Sequence, residues 1–488
     1  MSFDQVISHR RYASLPESFY TRQSVKPLLN QNWIVWNRSL ARTLRFPEQP
    51  DHVLLEKLTG ITAKENFSPL AMKYAGHQFG FYNPDLGDGR GLLLTEIEDI
   101  AGDIWDLHLK GAGTTPYSRM GDGRAVLRST IREYLCSEAL HFLGIPTTRS
   151  LGMIGSDTTV YRETAETGAF LLRIAKTHVR FGHFEHLFYT QKYDDLRLLT
   201  DKVMNWYFPQ CQHQENPYLN MFGEVIRRTA SMIAFWQAYG FCHGVMNTDN
   251  MSIVGETFDF GPYAFMDEYH SGFICNHSDY EGRYAFNRQP QIALWNLTAL
   301  AHALSPLIDS GELEESLASY EHILNEKYSQ LMRRKFGLMM SMKGDSGLFQ
   351  HALELLESNR VDYCVFFRTL SSLDCQPIDK VIDLFVDRIS AEQWIKRYIL
   401  RCEQEVDSNG FVVSAELRCQ QMRSVNPKYI LRNYLAQQAI QAAEQGDYTE
   451  IHNLLKVLSH PYDEQPEFED YAKLPPEWGK HLEISCSS

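Results

Sequence analysis

Asn250 and Asp259 stand nine positions apart, the first closing the polar stretch His243-Gly244-Val245-Met246-Asn247-Thr248-Asp249-Asn250 and the second opening Asp259-Phe260-Gly261. One amide and one carboxylate are enough for a hard cation such as Mg²⁺, or for Mn²⁺, when phosphate oxygens and water fill the rest of its shell. Asp249, beside Asn250, is a carboxylate that can take a proton, although an aspartate in a loop also serves as a turn cap. Upstream, Gly87-x-Gly89-x-Gly91 encloses Arg90. Glycines let the backbone approach phosphates without a Cβ clash, and Lys110, one hairpin later, can neutralise them. Taken alone the turn proves little, because glycines punctuate turns everywhere.

These groups need elements to hold them. The glycine turn runs into Leu92-Leu93-Leu94-Thr95, an apolar strand. From Ile104 to Lys110 the residues alternate, with Trp105, Leu107 and Leu109 on one face and Asp106, His108 and Lys110 on the other; this predicts a half-buried strand ending in lysine. From Ala125 the residues Val126, Leu127, Ile131, Tyr134, Leu135, Leu140 and Leu143 keep helical spacing, and Gly144 with Pro146 closes the helix. It carries Glu133 and Glu138, and periodicity does not say which faces the lysine. Met120-Gly121-Asp122-Gly123-Arg124 opens it, as an anion-binding helix start or as a plain capping turn. Strands at 158–162 and 169–174 and a helix from Phe222 to Tyr239 follow. Helical patterns at Ile292–Leu304, Leu313–Met339 and Lys380–Val406 complete the reading. The first 85 residues resist assignment.

Glycine turn, lysine strand, glutamate helix, histidine loop and Asp-Phe-Gly come in the order used by protein kinases, whose catalytic-loop asparagine lies seven residues after the histidine, as Asn250 does after His243. The expected fold is α+β, a protein-kinase-like bilobal fold with a largely helical C-terminal extension. Its expected parts are an N-terminal segment packed on the core (1–85), an N-lobe-like nucleotide region (86–175), a C-lobe-like catalytic region (176–304) and a helical region with an exposed cysteine tail (305–488). One position departs from the kinase pattern. Two residues after the histidine, where a kinase has its catalytic aspartate, stands Val245, which accepts no proton. Arg173 interrupts the apolar run 169–175, and Arg180 lies seven residues on. A guanidinium in a buried strand needs an anion, and by themselves these two favour a salt bridge over a ligand contact.

A chain of 488 residues exceeds what one core usually serves, and 44% apolar with 22% charged content is ordinary for a globular protein. The formal charge of -14 argues against a protein whose main partner is a nucleic-acid backbone, though not against one bound nucleotide in a local basic pocket. Nine scattered cysteines, never spaced Cys-x-x-Cys, suit a reducing compartment and give no zinc site. Asp4 and Glu17 and the lack of a continuous apolar stretch argue against a leader in the first thirty residues. No run approaches the ~20 apolar residues of a membrane span. A cytoplasmic monomer without nucleic-acid or membrane partners is expected.

With these motifs in place, the chain resembles the selenoprotein O family, of which it looks like a bacterial, cysteine-containing member. The resemblance runs from Leu15-Pro16-Glu17-Ser18-Phe19-Tyr20-Thr21 through Leu109-Lys110-Gly111-Ala112-Gly113-Thr114-Thr115-Pro116-Tyr117-Ser118-Arg119 and Asn247-Thr248-Asp249-Asn250 to Cys486-Ser487-Ser488. It implies a pseudokinase fold that binds ATP in a flipped orientation and transfers AMP to Ser, Thr or Tyr hydroxyls of proteins, releasing pyrophosphate. On that pattern Lys110 contacts phosphates and pairs with Glu133, Asn250 and Asp259 hold the metal, and Asp249 is the base. Gly87, Gly89, Arg90, Asp122, Gly123, Arg173 and Arg180 match the other nucleotide-contact positions. Selenocysteine near the tail of metazoan members, where this chain has Cys486, suggests a reversible disulfide, with Cys275 as first partner. An atypical phosphotransferase and a non-catalytic ATP-binding scaffold are the alternatives, and Val245 is the main support for the second.

Overall fold

The computed structural model describes residues 5–62, 67–373, 376–406 and 410–484. Its first part is built on a nine-stranded antiparallel sheet. Seven strands form its main path: β1 (Tyr20–Arg22), β2 (Asn32–Trp36), β3 (Leu70–Met72), β6 (Gly91–Glu98), β7 (Ile104–Lys110), β8 (Arg149–Tyr161) and β9 (Ala165–Ala175), in the spatial order β1-β3-β6-β7-β9-β8-β2. A separate hairpin, β4 (Gly76–Gln78) with β5 (Phe81–Asn83), lies between β3 and β6 in the chain. The elements that the sequence did not reveal before residue 85 thus supply three strands of the main path and this hairpin.

Alternation along the strands sets the two faces of the sheet. Leu92, Leu94, Leu107, Leu109, Phe170 and Leu172 point into one cluster, where Leu40, Leu54 and Leu58 of two short helices (Arg38–Thr43 and His52–Leu58) cover them. Leu93, Leu171 and Ala169 face the other way, towards Ile131 and Leu135 of helix α1 (Leu127–Phe142). Strand β7 is therefore not half-buried as its alternation predicts. Asp106, His108 and Lys110 are as buried as their apolar neighbours, because α1 and the connections below it cover the polar face too. Three ionisable groups inside a sheet each need a partner, and that requirement shapes the site.

Helix α1 starts later than its sequence pattern predicts. Ala125 and Val126 pair with Ala169 and Gly168 as a short strand, so the Met120–Arg124 turn precedes a strand and does not open the helix. Beyond the sheet come α2 (Phe181–Tyr189), α3 (Tyr193–Tyr207), α4 (Pro217–Tyr239), α5 (Gln289–Leu304), α6 (Ser310–Ala318) and α7 (Tyr320–Lys335), and the chain from there to the end of the described residues is largely helical. Gly240, at φ +66°, stops α4 as expected. The long pattern from Leu313 breaks at Ser319, whose hydroxyl and N–H both turn back to the carbonyl of Ser316. The pattern from Lys380 breaks likewise at Asp387, whose carboxylate caps the helix Arg388–Cys402 by accepting from Ser390 N–H. The fold class is α+β, as read from the sequence.

Candidate active site

A cleft of about 740 Å³ opens between the sheet and the loops that follow α4. Its lining carries six arginines and Lys110 against four aspartates, a positive hollow in a chain of net charge -14. That volume suits a nucleotide-sized ligand, and that charge suits a polyanion.

The back wall is a relay of buried charge. Lys110 donates to Glu133 of α1, Arg173 donates to the other oxygen of Glu133, and Arg173 reaches Asp259 at 2.7 Å. Arg180 closes the chain, donating to the second oxygen of Asp259 at 2.6 Å and to the carbonyl of Asp249 at 2.7 Å. Sheet register explains the juxtaposition: on β9, Leu171 lies opposite Lys110 and Arg173 opposite His108, so both cations emerge on the face that α1 covers. Glu138 is elsewhere, holding Arg149, Asn37 and the N–H of Ser150. The choice left open by periodicity falls to Glu133.

Burial and the neighbouring arginines set the protonation states. Burial, with Arg173 and Arg90 near, pulls the Lys110 ammonium down to about 7 despite Glu133. Asp259 is also desolvated, yet Arg173 and Arg180 outweigh that and hold its carboxyl well below the ordinary range. Asp249 goes the other way: burial raises it to about 7, with Arg180 only partly offsetting. Its Oδ2 accepts from Gln78 at 3.3 Å, while its Oδ1 is buried and has no hydrogen-bond partner among the described residues. An orphaned carboxylate oxygen beside a cleft is a proton acceptor in waiting.

The loop around Asp249 is held from beneath. His243 stacks on Trp236 and bonds the carbonyl of Phe258 at 3.0 Å, and the Asn250 amide donates to the carbonyl of Val245 at 3.1 Å. Asp259 adopts φ +59°, a left-handed conformation that a non-glycine residue keeps only under constraint, and the two arginines supply that constraint. Val245, Asn250 and Asp259 all line the cleft.

The other residues expected at the site are distributed around the cleft as follows. Gly87, Gly89 and Arg90 form its upper rim. The glycines have a local reason to be there: a Cβ on Gly89 would lie 2.8 Å from the carbonyl oxygen of Tyr117, and on Gly87 2.7 Å from the Tyr117 ring. Asp122 and Gly123 sit at the mouth, where Asp122 pairs with Arg162 at 2.9 Å. Glu133 lies behind Lys110. Cys275 is outside the cleft but close below it, buried, its thiol 3.2 Å from the carbonyl of Pro262. Cys486 lies outside the described residues.

Three residues that the sequence reading did not single out belong to the site. Asp88 is buried inside the glycine turn, accepting from Met72 N–H, Tyr74 OH and His108, and so ties that turn to β3 and β7. A carboxylate between two glycines was the available signal. Tyr74 lies under the Arg180 guanidinium, 4.5 Å from its ring centre. Gln78 had no signal at all, since it reaches Asp249 from 171 positions away.

Comparison with known proteins now adds a decisive match. The family model described as protein adenylyltransferase SelO covers residues 3–459. This chain belongs to that family. Relatives named protein nucleotidyltransferase YdiU agree along the whole length. That of Vibrio parahaemolyticus is 61% identical over 489 residues and covers 100% of both chains, and those of Vibrio vulnificus and Aliivibrio fischeri are 61% and 60% identical over 480 residues, 98% of each chain. As a SelO-family member the chain is a nucleotidyltransferase, which accords with the positive cleft and its orphaned carboxylate. Among its described residues no helix is long and apolar enough to cross a membrane.

Proposed function

We propose that this chain transfers AMP from ATP to Ser, Thr or Tyr hydroxyls of other proteins, with the triphosphate reversed relative to a kinase in a kinase-like, two-lobed cleft. The observation that carries this reading is the pair of buried arginines converging on Asp259, in the same cleft as an Asp249 oxygen without a partner among the described residues. Arginines 173 and 180 put cationic charge where pyrophosphate would depart, and Asp249, not residue 245, is the carboxylate that can take the acceptor's proton.

The step balances. The acceptor oxygen attacks the α-phosphorus, forming the new P–O bond as the bond to the β-phosphate oxygen breaks; the hydroxyl proton passes to Asp249 Oδ1. Pyrophosphate leaves with the electron pair, stabilised by Arg173, Arg180 and Lys110. The glycine turn, with Arg90 and the Asp122–Gly123 turn at the mouth, lies along the path of the nucleotide.

Among the described residues no cluster of three or more His, Cys, Asp or Glu is placed to hold a metal on its own. The donors present fit Mg²⁺ or Mn²⁺ bound jointly with phosphate: the Asn250 amide and Asp259, whose carboxylate the arginines hold ionised. That ion would neutralise phosphate charge. The arginines that engage Asp259 without nucleotide would then trade carboxylate for phosphate.

A redox reading fits beside this one. The N–H of His277 donates to the carbonyl of Ile484 at 2.8 Å, so the end of the described chain runs beside the segment of Cys275, two residues from Cys486 in sequence. A Cys275–Cys486 disulfide would tie the tail under the Asp259–Phe260–Gly261 segment.

ATP labelled at either the α- or the γ-phosphate tests the proposal. Label from α and none from γ should appear on acceptor proteins; γ label without α label would replace AMP transfer with phosphotransfer, and neither label would leave a scaffold.

A further inference from the structure

The nucleotide side of the cleft is accounted for; its other side is not. The hairpin β4–β5 stands over the Asn247–Asn250 loop and is fastened to it at every step. A Cβ on Gly76 would lie 3.0 Å from the N of Asp249, so the two backbones are nearly in contact. His77 N–H donates to the Thr248 hydroxyl at 2.6 Å, and its ring meets Glu185 at 2.5 Å. Gln78 Nε2 donates to Asp249 Oδ2, and Asn83 donates to Gln78 Oε1 at 3.1 Å, which fixes which end of the Gln78 amide faces the carboxylate.

The tip is costly to build. Phe79 and Gly80 both have positive φ, +51° and +87°, as a two-residue type I′ turn requires, but phenylalanine is a poor residue for the first position. Its N–H is held by Tyr284 OH at 2.9 Å and by Asn247 Oδ1 at 3.3 Å. The ring so placed lines the cleft and is 38% exposed. Phe81 is the cross-strand partner of Gln78, so its side chain leaves the hairpin on the face from which Gln78 reaches Asp249, and it is 81% exposed. Strain and exposed aromatic surface, continuous with a catalytic carboxylate, serve no purpose in the fold alone.

The geometry points to the β4–β5 hairpin as the acceptor-binding element. Gln78 acts as a positioning residue that holds Asp249 Oδ2 and leaves Oδ1 for the hydroxyl, and Phe79 with Phe81 receives an apolar side chain flanking that hydroxyl on an extended segment of the acceptor protein. This rests on the reading of Asp249 as the base for AMP transfer. It adds the chemistry of the partner: a hydroxyl-bearing segment with an apolar neighbour, not an acidic or basic motif.

The test uses the full chain, ATP labelled at the α-phosphate, and the soluble proteins of a bacterial extract as acceptor pool, titrated in concentration. Phe81→Ser should raise the half-saturating extract concentration at least fivefold, leave affinity for a fluorescent ATP analogue within twofold of wild type, and be rescued by Phe81→Leu. Gln78→Glu, which keeps length but loses the donor, should cut the maximal rate at least tenfold with the same nucleotide affinity, and Gln78→Leu should do likewise. Melting temperatures of all variants are recorded; Phe81 is too exposed for its substitution to unfold the chain. Unchanged half-saturation in Phe81→Ser, or an unchanged maximal rate in both Gln78 variants, overturns the assignment of the hairpin. No α label from the wild type overturns AMP transfer itself and is thereby a separate failure.

Discussion

Arg180 donates to Asp259 at 2.6 Å and, through the same nitrogen, to the main-chain carbonyl of Asp249 at 2.7 Å, so one guanidinium ties the Asp259 carboxylate to the backbone of Asp249. The carboxylates nonetheless have opposite electrostatic fates. Asp259 makes two ion pairs, whereas among the described residues Asp249 makes none and its carboxylate accepts only from Gln78.

Their amide variants should separate stability from catalysis. Asp259→Asn leaves two buried arginines short of an anion and should destabilise the ligand-free protein by about 3 kcal/mol. Asp249→Asn removes a carboxylate that burial disfavours and should leave the melting temperature equal or higher. The folded Asp249 carboxyl near 7 exceeds the 3.8 of a free aspartate, so its ionisation costs stability progressively as pH rises between those values. That slope should shrink in Asp249→Asn. Both variants should lose at least ~100-fold in AMP transfer, and thermal melts at several pH values beside the labelling assay check the contrast.

Glu133 and Glu138 offer a second contrast on one helix. Glu133→Gln takes the charge from between Lys110 and Arg173 and should weaken nucleotide binding at least ~10-fold, about 1.4 kcal/mol. Glu138→Gln removes the charge facing Arg149 and leaves one acceptor oxygen where two serve Arg149, Asn37 and Ser150 N–H, and should lower the melting temperature while leaving nucleotide affinity within twofold. Calorimetric titration with ATP, run beside thermal melts, distinguishes them.

What the sequence disclosed follows from the range of the interactions. The strands that carry Lys110 and Arg173 and the helix that carries Glu133 were legible because their periodicity is local. The His243-to-Asn250 spacing and the Asp-Phe-Gly were legible because each lies within one short contiguous stretch of sequence. The burial of Asp106, His108 and Lys110 was not, since the second cover on β7 comes from residues distant in sequence. Gln78 was invisible for the same reason, and the breaks at Ser319 and Asp387 were hidden because a single side-chain cap interrupts a pattern without altering its hydrophobic period.

Cys275 bears on the redox reading. Burial and the neighbouring Cys242 push its thiol well up, and it lies against the carbonyls of Pro262 and Cys242. A protonated, covered thiol reacts slowly. Alkylation of Cys275 by iodoacetamide at pH 8, followed by mass spectrometry, should therefore be at least ~100-fold slower in the folded chain than in denaturant, and any link to Cys486 should form at a rate set by local opening. Rapid labelling of Cys275 in the folded chain would contradict the buried environment.

Lys110 gives the cleft a proton linkage. Without nucleotide its ammonium titrates near 7, because burial and the fields of Arg173 and Arg90 outweigh Glu133. Triphosphate oxygens favour the charged form and push that value back up, so ATP binding above pH 7 should take up a proton. The sign follows from linkage: a ligand that raises a pKa binds more weakly as pH climbs past the value in the free protein. ATP affinity should thus fall between about pH 7 and 9, approaching tenfold per pH unit where Lys110 is the only group titrating. Calorimetry in buffers of different ionisation enthalpy should show an uptake at pH 8 larger by nearly one proton in the wild type than in Lys110→Met, which loses the charge and is one atom shorter; any uptake left in the variant reports the Asp249 carboxyl, which also lies near 7. Equal uptake in the two proteins would place the linkage on another group.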